Sequence, residues 1–150
     1  MTIPDPTDCP YYLISRTALV VTSELRKDLA AAGAGQIRVS YLSVLMVLWC
    51  QDDLKSGELG RRAGLEPSTM TGLLDRMVRD ALVVREPDPQ DRRAQRICLT
   101  KEGREFRDPI MDAVNKTLGR VLDGIPQDDM NHVKETLRLV LSNSNKTSDP

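Results

Sequence analysis

The sequence predicts a mainly α-helical fold built around a winged helix-turn-helix, with about six helices and a two-stranded β-hairpin wing. Three observations carry this. Two short helical patterns, 56–63 and 67–80, are joined by the turn Gly64-Leu65-Glu66. Two β-like runs, 82–85 and 95–99, flank the arginine-bearing turn EPDPQDRRA. Longer helical patterns on either side, 11–32 and 101–141, each carry an apolar stripe. A helix held this way enters a major groove, and a basic hairpin reaches the neighbouring minor groove or backbone. The arrangement therefore points to double-stranded DNA as a partner.

Each element has its own justification. Residues 1–10 hold Pro4, Pro6 and Pro10 and read as an extended N-terminus. In the first helix Leu13, Ile14, Thr17, Ala18, Val21, Leu25 and Leu29 recur at spacings of three and four, and Gly33 and Gly35 close it. The pair Gly33 and Gly35 follows no strand, so it is a helix stop rather than a nucleotide loop. Residues 40–50 are apolar on nearly every side, which places that helix, Cys50 included, at the centre of the domain. Leu54 begins a strand of one or two residues. Leu59 and Ala63 face inward from the helix that follows. Pro67 suits a first helical position because its missing N–H is no loss there. Met70, Leu73, Leu74, Met77 and Val78 form that helix's inner face, leaving Ser68, Thr69, Thr71, Gly72, Asp75, Arg76 and Arg79 outward. Thr100 is an N-cap for a helix over 101–122 that Pro109 kinks or breaks. Met130, Val133, Leu137, Val140 and Leu141 line one face of a last helix, and 143–150 is a polar tail.

Length and composition fit one domain spanning 1–150, with 40% hydrophobic and 29% charged residues. No apolar run reaches membrane-spanning length, and the N-terminus lacks the regions of a signal peptide. Three widely spaced cysteines form no disulfide framework, so a reducing cytoplasm is the natural setting. The net charge of −1 conceals an uneven distribution. Residues 55–101 carry ten Lys/Arg against seven Asp/Glu, and the rest of the chain eleven against fifteen. Positive charge therefore gathers on the winged segment. The apolar stripes of 11–35 and 101–142 exceed what the central 38–100 segment can cover, which points to a dimerisation region and a homodimer. An enzyme is not indicated: the chain offers no nucleophile–base arrangement, phosphate loop or metal cluster, and His132 is its single histidine. No cofactor or metal is expected.

The segment LEPSTMTGLLDRMVRDALVVREPDPQDRRAQRICLTKEG resembles the MarR family of bacterial transcription regulators. The likeness lies in the helix motif STMTGLLDRM, the wing-tip motif Asp91-Arg92-Arg93-Ala94 and the closing Leu99-Thr100-x-x-Gly103, with the order of elements fitting over about 10–142. The resemblance implies a dimer joined through its terminal helices and bound to a palindromic operator, usually as a repressor. It implies release of DNA by a small aromatic or anionic effector, or in some members by cysteine oxidation. By position it assigns DNA contacts to Ser68, Thr69, Thr71 and Arg76 on the recognition helix and to Arg92 and Arg93 on the wing. It gives Asp91 the role of pairing with an arginine to brace the hairpin. It places Tyr12, Arg16 and Trp49 near the effector crevice. Cys9, beside Tyr11 and Tyr12, is similar to the N-terminal cysteine of the family's peroxide sensors. Two positions depart from the pattern: Ala81 stands where glycine is common, and Gly72 where a larger residue is common.

The residues themselves leave alternatives open. The hydroxyls of Ser68, Thr69 and Thr71 serve either as helix caps or as groove contacts. Arg76 pairs either with DNA or with Asp75 or Asp80. A redox-sensing regulator of the same fold, and a winged-helix module that binds protein instead of DNA, remain the competing functions.

Overall fold

The helix-turn-helix and wing form where the sequence places them, and the differences lie at the edges. The computed structural model describes residues 5–146, with side chains through residue 143. The first four residues of the expected extended segment and 147–150 of the expected tail lie outside the described residues. Helix α1 is Pro10–Ala31 and α2 is Leu42–Cys50, entered through a 3-10 turn, Val39–Tyr41. Strand β1 (Leu54–Lys55) leads into α3 (Ser56–Ala63) and α4 (Pro67–Arg79). Strands β2 (Val83–Pro87) and β3 (Gln95–Leu99) make the hairpin, followed by α5 (Lys101–Glu105), α6 (Arg107–Val121) and α7 (Gln127–Lys146).

Four expectations change in detail. The N-terminal segment is not extended throughout: Pro6–Asp8 forms a 3-10 turn closed by the Asp5 carboxylate, which accepts from Thr7 N–H at 2.8 Å. The wing gains a third strand, because β1 pairs antiparallel with β3, Leu54 opposite Ile97. The single helix over 101–122 is two, parted at Phe106. Pro109 thus falls in the first turn of α6, where it removes no helical hydrogen bond. The last helix runs on to Lys146, through the start of the expected polar tail.

The chain forms two compact units, 1–117 and 118–150. In the first, Leu29, Tyr41, Leu45, Leu48, Leu59, Leu74, Met77, Leu82, Ile97 and Ile110 are fully enclosed. Each enclosed aliphatic chain contributes roughly 1.5–3 kcal/mol. With 3% aromatics, this core is aliphatic apart from Tyr41. Met70, Leu73, Leu74 and Met77 form the inner face of α4, whereas Val78 is exposed. Cys50 is exposed as well, since the last residue of α2 emerges from the core its helix crosses. Asp28 of α1 is buried, its carboxylate accepting from the Thr117 hydroxyl at 2.7 Å and facing Lys116 at 3.3 Å. Apolar side chains remain exposed on α1, including Tyr11, Leu13, Ile14, Leu19 and Val20. In the second unit α7 exposes Val133, Leu137, Leu139 and Val140.

Candidate nucleic-acid interface

Helix α4 starts at Pro67, after a turn that Gly64 makes possible with φ +69°. Ser68 and Thr69 stand exposed in its first turn. The residue flanking that helix is Glu66, so neither hydroxyl caps it, and neither makes a hydrogen bond among the described residues. Thr71 donates its hydroxyl proton to the Pro67 carbonyl at 3.0 Å, leaving its oxygen free to accept. Arg76 pairs with neither neighbouring carboxylate. Asp75 takes Arg85 at 2.7 Å, and Asp80 accepts the Tyr41 hydroxyl at 2.7 Å. The Arg76 guanidinium lies over Gly72, whose missing side chain leaves it room.

The wing tip presents Arg92 and Arg93, both exposed and without a carboxylate partner among the described residues. Between the tip and the start of α3 lies an open cleft of about 710 Å³. Lys55, Arg61, Arg92 and Arg93 line it, with Glu58 as its one carboxylate. Lys55 and Arg61 were missed as individual positions in the sequence. The charge excess over 55–101 was the available signal. Arg61 is held there by Glu58 and Lys55 faces Asp88 at 3.6 Å, so Arg92 and Arg93 are the cations of this cleft left for a phosphate backbone.

The hairpin is braced differently from the expectation. The Asp91 carboxylate accepts from the Arg93 backbone N–H at 3.0 Å and meets no arginine side chain. The arginine-bound carboxylate is Asp88, three residues earlier and only 3% exposed. It accepts from Gln90 and Asp91 N–H at 2.8 and 2.9 Å, and from Arg96 at 3.3 Å. Arg96 also donates to the Asp53 carboxylate at 2.6 Å and to the Asp53 carbonyl. The Gln90 N–H, aided by Asp91 N–H and Arg96, holds the Asp88 carboxyl below the usual carboxylate range. The Arg96 guanidinium and the Cys98 thiol do the same for Asp53. Asp52 ties the wing base to α5, accepting from Leu99 N–H at 2.9 Å and from Arg104 at 2.7 Å.

Two further motif positions gain a physical reason. A Cβ on Gly103 would lie 2.1 Å from the Leu82 carbonyl oxygen, so only glycine lets α5 seat against the wing. Thr100 caps α5 by accepting from Gly103 N–H at 2.9 Å, and its hydroxyl donates to the Ala81 carbonyl at 2.6 Å. Ala81 sits at φ +57°, the left-handed region in which glycine is at ease.

The residues assigned to an effector crevice do not share the cavity beside Trp49. That cavity, about 300 Å³, is lined by Leu48, Trp49, Asp52, Leu99, Arg104 and Arg107, and the Trp49 indole donates to the Gly103 carbonyl at 2.9 Å. Tyr12 and Arg16 lie exposed on α1. Cys9 is half-buried immediately before α1. Burial, reinforced by the Asp53 carboxylate, pushes the Cys98 thiol up to about 12, so it stays protonated at neutral pH. Among the described residues no cluster of His, Cys, Asp and Glu is arranged to hold a metal ion, and no helix is long and apolar enough to cross a membrane.

Comparison with known proteins agrees with this architecture. The MarR family profile matches residues 38–94. A MarR-family transcriptional regulator from Rhodococcus sp. RHA1 is 32% identical, with 92% of this chain and 96% of that one superimposed at a TM-score of 0.78. CouR from Rhodococcus jostii RHA1, solved with p-coumaroyl-CoA, is 30% identical over 92% of this chain and 95% of its own, at a TM-score of 0.77. The transcriptional activatory protein BadR of Rhodopseudomonas palustris is 31% identical over 62% of this chain, which spans only 54% of BadR. The matching profile, these relatives and the shared winged fold agree: the chain belongs to the MarR family of transcription regulators.

Proposed function

We propose that this protein is a homodimeric repressor that binds a palindromic operator and is released by a small aromatic or anionic effector. One observation carries the DNA contact: among the described residues Arg92 and Arg93 at the wing tip and Arg76 on α4 have no carboxylate partner, while Arg85, Arg96 and Arg104 around them are all paired. Ser68, Thr69 and Thr71 let the α4 backbone approach the groove closely and offer hydroxyls to phosphates and base edges. Arg76, Arg92 and Arg93 supply permanent charge in a planar fork suited to phosphate and to narrow minor grooves. Asp91 fixes the turn that presents the last two.

The dimer buries the exposed apolar faces of α1 and α7. A twofold pair then offers two recognition helices roughly 34 Å apart, one turn of DNA. The effector reading draws support from CouR, solved with an acyl-CoA, and the protein's own effector is of aromatic or anionic character. Tyr12, Arg16 and Trp49 belong to its crevice only if the dimer brings α1 of one copy to α2 of the other.

The test is a gel-shift titration on the protein's own upstream DNA with random duplex as competitor, beside light scattering of the free protein. Competitor-resistant binding by a species of twice the chain mass is the expected result. Binding abolished by random duplex, or a monomer on DNA, contradicts it. Transcription from the bound promoter, falling when protein is added, decides repression against the activation that BadR's name records.

A further inference from the structure

The outward face of α4 is short of side chain except at one point. Ser68, Thr69, Thr71 and Gly72 occupy its first turns, and none reaches far from the backbone. Asp75 is turned aside to Arg85 at 2.7 Å, and Arg79 lies at the helix end. Arg76 is therefore the long donor of this stretch. Its side chain doubles back along the helix: a Cβ on Gly72 would lie 3.9 Å from Arg76 Nη1. A helical side chain covers the turn before its own Cα. The guanidinium thus stands at the level of residue 72, towards the N-terminal residues that meet base edges in a major groove. Glycine is a poor helix former, yet its bareness has a use here. A side chain reaching beyond Cβ at 72 would contend with the guanidinium for the same space.

The surroundings also keep Arg76 from an internal carboxylate. Asp75 beside it is taken by Arg85, and Asp80 accepts the Tyr41 hydroxyl, each at 2.7 Å. Asp80 stands four residues on, the spacing at which a helical arginine ordinarily finds a carboxylate. Arg76 is half-buried where Arg79 is exposed, so its stem is held against the fold and less ordering remains for binding. We propose that Gly72 and Arg76 together read the operator's sequence: Arg76, laid back over Gly72, donates two hydrogen bonds to O6 and N7 of one guanine in each half-site, and the bare backbone at 72 admits it. The planar guanidinium fork matches that pair of acceptors in the major groove. Arg92 and Arg93 grip the backbone, and such contacts carry no sequence information. The guanine contact rests on the regulator reading, and gives it a base and a reader.

The test is selection from a random duplex library by the full chain, followed by sequencing, for the parent, Arg76→Ala, Gly72→Ala and Gly72→Leu. The parent should select a half-site in which one guanine is preferred over the other bases by about fivefold or more. Arg76→Ala and Gly72→Leu should both bring that preference below about twofold and leave the other positions of the half-site as they were. Gly72→Ala should keep it, since a methyl 3.9 Å from the guanidinium makes only ordinary contact. Alanine and leucine are better helix formers than glycine, so both replacements leave α4 intact. Replacing the selected guanine by its N7-deaza analogue should weaken the parent about fivefold and Arg76→Ala by less than about twofold. A parent motif with no preferred guanine, an Arg76→Ala protein that is weakened on every sequence alike, or a Gly72→Leu protein that keeps the preference overturns the proposal and leaves the regulator reading standing. A parent that enriches no sequence removes both.

Discussion

Two sets of arginines on the same 50-residue segment behave in opposite ways. Arg85, Arg96 and Arg104 each end on a carboxylate, and together they fasten strand to helix, wing to β1, and α5 to the loop after α2. Arg76, Arg92 and Arg93 end on none among the described residues. A paired guanidinium has spent its charge on its own fold. An unpaired one on a rigid element keeps that charge for a partner. The contrast separates architecture from function more finely than exposure does, because Arg104 is exposed and paired, and Arg76 is half-buried and unpaired.

The sharpest way to break that contrast is to remove the free set. Arg92→Ala with Arg93→Ala should weaken operator binding by about 100-fold at moderate salt, for the four phosphate contacts that the proposed dimer would lose. Thermal unfolding should shift by no more than about 0.5 kcal/mol, as for ordinary surface substitutions. Disturbing the fastened side should do the reverse. Gly103→Ala forces a methyl onto the Leu82 carbonyl and should cost about 2–3 kcal/mol of folding stability, read by denaturant titration. Arg96→Ala should lower the thermal midpoint more than Arg92→Ala does, because it takes the guanidinium from Asp53 and Asp88 at once and leaves Asp88 only its two backbone donors and Lys55.

Acid sharpens the same point. Asp53 and Asp88 have carboxyl groups held below their ordinary values. Their contribution is therefore complete above the unfolded carboxylate value of about 4 and is lost as pH falls through the lower folded values. Amide exchange at Leu99 and Ile97 should stay slow from neutral pH down to about 4 and accelerate only below it. The smallest effect belongs to Ala81→Gly, which relieves a positive φ and should add about 0.5–1 kcal/mol by the same denaturant titration.

How much of this was legible in the sequence differs by kind of interaction. Helix α3 and strand β3 were placed to the residue because apolar periodicity and turn glycines act locally. The Thr100 cap was readable for the same reason. The brace was not. Asp88 and Asp91 look alike in sequence, and which one meets an arginine depends on how the hairpin turn folds the chain back onto β1. Cys50 and Val78 were placed inside by periodicity and lie outside, because a helix end and a stripe edge leave the core without any change of pattern.

The measurement that bears most directly on the central claim is the salt dependence of operator binding by the parent protein and by Arg92→Ala with Arg93→Ala. If the proposed dimer makes about six phosphate contacts, the parent should show a log–log slope near −5, and losing four should bring it to about −2. A variant slope equal to the parent's would show that the unpaired arginines of the wing do not touch the backbone, and the division between fastening and gripping arginines would fall with it.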